Sequence, residues 1–324
     1  MNSEELDKKE HLVEVAEVVE VVDSEPLDQP QDEPKAEPDE EPRKEADGGD
    51  RKEAQEVMPK ENKHFPGWMD LLSTAGVFVF SILASSLVML LMMRGRGVES
   101  PTPDITFVCY LVQMLPVVAF ILFLRHKAGR GSGLHLGIGS VNLPMVLWGV
   151  LLLLATGVVI EPLLELFPAA PYDNVKSAIG LGGWAILSTV VAAPIIEETL
   201  FRGLIFESCR ERFGKGAAVL ISALLFGAIH VVPVQVINAF VVGLILGYVY
   251  LKTNSLLSVI ILHAVNNAIA YATMALLGDS AEVTLRELIP STVLYWIVYG
   301  LAAVLFIFAM ITLWRTLRDN TEVE

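Results

Sequence analysis

The chain has 324 residues, 53% of them hydrophobic, and a formal net charge of −15. Residues 1–64 hold 22 Asp/Glu against 9 Lys/Arg, and residues 65–324 hold 16 against 14, so the excess acid sits almost wholly in an N-terminal tail. An acidic tail on a nearly neutral, very apolar body excludes a soluble globular enzyme, a nucleic-acid binder with a basic face and a disulfide-stapled secreted module.

In the tail, residues 23–62 are rich in Pro, Glu, Asp and Lys. Too little apolar surface is present to offset the entropy of ordering, so 1–64 is expected to be a disordered cytoplasmic tail. Within it, Val13, Val15, Val18, Val19, Val21 and Val22 interleave with glutamates over 12–22 and offer a short segment that could dock on a protein partner. No apolar targeting segment occurs before Leu71. Cys109 and Cys209 are too few for a disulfide framework and lack metal-ligand spacing.

From residue 71 onward, apolar stretches recur that are long enough to cross a bilayer, for which roughly 20 helical residues cover about 30 Å. The spans are expected at 71–93, 105–124, 144–166, 182–206, 216–233, 235–251, 256–277 and 291–314, with 216–251, divided only at Pro233, also readable as one bent or re-entrant element. The breaks between them carry turn signals such as Arg94-Gly95-Arg96-Gly97, Gly214-Lys215-Gly216, Pro233 and Asn254-Ser255. The fold class expected is therefore an all-α polytopic membrane domain at 65–324, of about eight transmembrane helices, behind the disordered acidic tail. Basic residues in the loops orient it. Lys60, Lys63, Arg125, Lys127, Arg130, Arg210, Arg212, Lys215, Lys252, Arg315 and Arg318 fall on one side, and Arg94, Arg96, Lys176 and Arg286 on the other. The positive-inside rule puts both termini in the cytoplasm, whether the membrane is the cytoplasmic one of a bacterium or an endomembrane of a eukaryote.

An ionisable residue at membrane depth costs several kcal/mol, which makes it a functional hypothesis. The span at 182–206 contains Glu197, Glu198 and Arg202. Glu198 and Arg202 stand at i and i+4 with the acid N-terminal, the favoured arrangement for an ion pair. Glu197 points about 100° away and is not served by the same arginine. One glutamate is thus expected to be structural and the other reactive, a desolvated carboxylate suited to general-base work. Phe226 and His230 share one face of the next span, and His263 and Asn267 one face of the span at 256–277. At 1.5 Å per residue, Glu197, His230 and His263 lie about 22, 21 and 10 Å from the cytoplasmic ends of their helices, so the three can line one polar cavity. Taken singly, a membrane His or Asn is more often helix–helix glue, as expected here of Gln113 and Asn238. Glu161 and Glu165 are expected at the outer interface.

In their order and spacing, Glu197-Glu198-x-x-x-Arg202, Phe226-x-x-x-His230 and His263-x-x-x-Asn267 resemble the CAAX prenyl protease and bacteriocin-processing (abortive-infection-like) family of intramembrane proteases. The resemblance covers roughly 180–275 and leaves the tail unexplained. It implies hydrolysis of a peptide bond of a membrane-associated protein or peptide, which can be lipid-modified. Glu197 with His230 would activate a water, His263 and Asn267 would stabilise the oxyanion, and Glu198, Arg202 and Phe226 would brace the site. No cofactor is implied by this mechanism. A zinc-dependent version using Glu197, His230 and His263 stays open, although His-Glu-x-x-His is missing from the sequence. Competing readings are a proton-coupled transporter or channel built on the same buried groups, and an inactive scaffold that recruits partners through its tail. The expected partners are membrane lipid and a protein substrate, not nucleic acid.

Overall fold

Large apolar side chains cover the outside of the helices and small polar ones are turned inward. A computed structural model of the chain describes residues 65–167, 180–230, 232–277 and 285–319. The tail at 1–64, with its valine-rich stretch, lies outside the described residues. On α1 (Trp68–Arg96), Leu72, Phe80, Leu83 and Leu90 are exposed while Ser81 and Ser85 are buried. Thr156, Ser222, Ser255 and Ser258 are buried elsewhere. This pattern suits a hydrocarbon solvent, in which apolar surface has no reason to hide and small residues let helices approach closely.

After α1 come α2 (Pro103–Lys127), α3 (Leu143–Leu164), α4 (Gly183–Phe213), α5 (Lys215–Ala228), α6 (Pro233–Thr253), α7 (Leu256–Leu277) and α8 (Thr292–Asp319), with a single turn at Leu285–Leu288. All described regular structure is helical. Among the described residues, seven helices are long and apolar enough to cross a membrane. The protein is an integral membrane protein.

The count differs from the expected eight at one place. The stretch expected as a span at 216–233 forms α5, whose 14 residues rise only about 21 Å. Gly214, at φ 88°, ends α4 and leads directly into α5. Pro233 opens α6 at the position where a missing backbone N–H costs nothing. Apolar character runs through both punctuation points, but the backbone turns at each. α5 therefore lies along α6 as one arm of a helical hairpin.

α4 sits among α2, α5, α6 and α7 and touches all four. α1 pairs with α2, and α3 with α8. The α5–α6 contact depends on glycine. A Cβ on Gly243 would lie 3.1 Å from the Ala223 backbone, and one on Gly227 would lie 2.8 Å from the Val236 carbonyl oxygen.

The end of α2 and the segment that follows it fasten the end of α4 and the start of α7. Arg125 donates from Nε to the Gly131 carbonyl at 2.8 Å, from Nη1 to Ser208 Oγ at 2.8 Å and from Nη2 to Glu211 Oε1 at 3.1 Å. Farther on, the His135 and Leu136 carbonyls accept from the N–H groups of Leu256 and Leu257 at 2.8 and 3.1 Å, serving donors at the start of α7 that have no partner within the helix.

Gly243→Val should wedge α5 from α6. Overpacking of this kind costs about 1–3 kcal/mol. A lower melting temperature in detergent is expected, while Gly76→Ala, with nothing within 4 Å of its added Cβ, should melt no lower than wild type.

Candidate active site

α4 is not a regular α-helix. An α-helical turn at Gly183–Ile186 passes into a π-helical stretch at Leu187–Ala192, and Ala193–Glu198 is α-helical again. A second π-helical stretch, Thr199–Phe206, precedes the α-helical end Glu207–Phe213. Such wide turns concentrate at functional sites. Both glutamates lie on the short α-helical segment between the two.

Pro194 explains part of the irregularity. In the first π stretch the N–H of Ala193 reaches back five residues to the Ser188 carbonyl. The next donor in that register would be residue 194, which as a proline has none. The Thr189 carbonyl is thereby deprived of both its i+4 and i+5 partners. Asn267 Nδ2 on α7 supplies the missing bond at 2.9 Å. Its Oδ1 lies 3.5 Å from Asn266 Nδ2.

Glu198 and Arg202 are both 0% exposed and pair at 2.9 Å between Oε1 and Nη1. Arg202 Nη2 donates to the Gly243 carbonyl of α6 at 3.0 Å. The guanidinium carbon also lies 4.8 Å from the centre of the Phe226 ring. His263 Nδ1 lies 2.8 Å from the same Glu198 Oε1. A carboxylate held by an arginine only accepts, so Nδ1 carries the proton of that bond. The opposite nitrogen, Nε2, is turned toward Glu197 Oε2 at 3.8 Å.

Glu197 is 8% exposed. Its Oε1 accepts from the Tyr110 hydroxyl on α2 at 3.2 Å. His263 and His230 both lie within electrostatic reach of its carboxylate. His230 has Nδ1 2.9 Å from the Phe226 carbonyl oxygen, which only accepts, so Nδ1 is the protonated nitrogen and Nε2 the free one. Phe226 is the hub of the packing. Its ring meets Phe201, His230 and His263 edge to face, with centroids 5.3, 5.4 and 5.6 Å away.

Glu197, Glu198, Arg202, Phe226, His230 and His263 thus come together, and Asn267 joins through the backbone of α4. The amide of Asn267 is spent in part on Thr189, a use that its position in α7 could not reveal. Gln113 and Asn238 are half-buried, and Glu161 accepts from the Leu285 N–H. Sequence reasoning missed Tyr110, Gly243 and the Thr189 carbonyl. Tyr110 reads as one more aromatic in an apolar span, and the other two act through backbone atoms.

Residues 180–269 match a family model described as Rce1-like, type II CAAX prenyl endopeptidase. Over those residues the chain is similar to the CAAX prenyl protease family. No curated protein and no solved structure matches the chain. All seven motif residues fall inside the Rce1-like domain, whereas Tyr110 falls outside it. At the level of the family the domain is that of a protease. Among the described residues no group of three or more His, Cys, Asp or Glu side chains stands placed to hold a metal ion, the set Glu197, His230 and His263 included.

Removing one member of the buried pair leaves its partner uncompensated. Arg202→Met should therefore cost about 3–5 kcal/mol, read as a fall in detergent stability. Asn267→Ala strands a carbonyl and should cost about 1–3 kcal/mol. Adding Pro194→Ala to Asn267→Ala restores an N–H and should recover much of that loss, measured by thermal unfolding of the single and double variants.

Proposed function

We propose that the chain is an intramembrane endopeptidase that hydrolyses a peptide bond with a water activated by Glu197. The observation that carries this reading is the unequal treatment of two adjacent glutamates. Glu198 is enclosed and receives both Arg202 and His263. Glu197 keeps one oxygen, Oε2, facing His263 Nε2 across 3.8 Å. That gap is too long for a direct hydrogen bond and short enough for both atoms to hold one water.

In this mechanism Glu197 takes a proton from the water as the oxygen attacks the scissile carbonyl carbon. The same proton is then passed to the leaving nitrogen as the C–N bond breaks. His230, with Nε2 free, helps hold the water. His263 faces the oxyanion through Nε2, and the Glu198 carboxylate behind Nδ1 balances positive charge on the ring. Asn267 has two amide hydrogens, so a second remains beside the one given to Thr189. Arg202 and Phe226 hold Glu198, His230 and His263 in register.

The family description supports a membrane-anchored substrate with a prenylated C-terminus as the first class to try. With both termini in the cytoplasm, as the loop charges favour, the α5–α6 hairpin enters and leaves the membrane on that side, where such a C-terminus would lie. The acidic tail would meet substrates or partners there.

The full chain, reconstituted in lipid with a fluorogenic farnesylated peptide ending in a CAAX sequence, should release product. Glu197→Gln should lower turnover by about 10²–10⁴-fold without changing the circular dichroism or melting temperature. Full turnover by that variant would sink the mechanism. Activity of the wild type should persist after exhaustive chelation, and a loss restored by added zinc would transfer the water to a metal.

A further inference from the structure

Glu197 receives its hydrogen bond from a helix that the matched segment does not contain. Tyr110 is on α2, 87 residues away in the chain, and its hydroxyl lies 3.2 Å from Glu197 Oε1. The phenol ring is packed against the cluster formed by Met114, Val117, Leu200 and Phe201, so the hydroxyl is presented from a fixed position. The neighbouring carboxylate leaves little for Glu197, because Glu198 takes both the Arg202 guanidinium and His263 Nδ1. The terminal torsion of a glutamate is soft and roughly two-fold, so packing alone sets its plane poorly. A donor on one oxygen sets it.

We propose that Tyr110 is a positioning residue for the catalytic base. By holding Oε1, it turns Oε2 toward His263 Nε2, where the water and the scissile carbonyl meet. This rests on the reading of Glu197 as the base. It extends the working site beyond residues 180–269 to α2, and it makes the contact of α2 with α4 a requirement of catalysis as well as of folding. The phenol acts as a neutral donor throughout and transfers no proton.

Tyr110→Phe keeps the ring and removes the donor. In the reconstituted full chain, with the farnesylated CAAX peptide as probe, kcat should fall about tenfold, the scale of one hydrogen bond to a charged group. KM should stay within about twofold and the melting temperature unchanged, as a loss confined to the transition state requires. The infrared difference between wild type and Glu197→Gln assigns the Glu197 carboxyl band, and that band should move in Tyr110→Phe. Tyr110→Leu, which also loses ring packing, should melt lower than Tyr110→Phe. An unmoved band, or kcat within about twofold of wild type, would overturn the proposal. A wild type that cleaves no probe defeats the proteolytic reading on that substrate. A moved band would then still sustain the hold of Tyr110 on Glu197, and an unmoved one would overturn it.

Discussion

A guanidinium with no exposure, inside a bundle whose outer surface is apolar, has to be neutralised where it stands. Arg202 is that group, and its pairing with Glu198 is the constraint from which the site follows. The desolvation penalty of a buried pair is met only by good geometry and by further hydrogen bonds to the atoms left over. Arg202 obtains one from the Gly243 carbonyl through Nη2 and lies against the Phe226 face, while its Nε and the second oxygen of Glu198 have no hydrogen-bond partner among the described residues. Glu198 obtains a second donor from His263. Those partners come from α6, α5 and α7, so satisfying one charge pair on α4 brings four helices into register.

The same helix gives up regular backbone bonding around the two glutamates. Two π-helical stretches flank the segment that bears them, and Pro194 removes a donor from the first. An orphaned carbonyl in a membrane interior is costly, and Asn267 relieves it. A motif residue expected to serve the reaction is therefore also part of the scaffold. Such double use accounts for an asparagine at that depth in α7 without any substrate present, and it ties the shape of α4 to the position of α7.

Much of this was legible without coordinates. Seven spans could be located because hydrocarbon thickness demands long apolar runs, and the polar residues that gather from α4, α5 and α7 because each is polar in such a run. The eighth was open between a separate span and one arm of a bent element, since hydropathy measures composition and α5 differs from a crossing helix only in length. Gly214 and Pro233 were visible as breaks, but not how far the chain travels between them. Tyr110 was hidden for a related reason: an aromatic ring among Val, Leu and Phe carries no sign of where its hydroxyl will end.

The division between the levels is physical. Helical spacing is a short-range property, so the face shared by Glu198 and Arg202, by Phe226 and His230, and by His263 and Asn267 is determined by the sequence alone. So are the separation of Glu197 from that ion pair and the need to satisfy every charge within the membrane. Which partner satisfies each group is a long-range matter, set by how helices distant in the chain pack. Only the tertiary structure decided that one Glu198 oxygen serves both Arg202 and His263, that Asn267 mends the break made by Pro194, and that Glu197 leans on a tyrosine from α2.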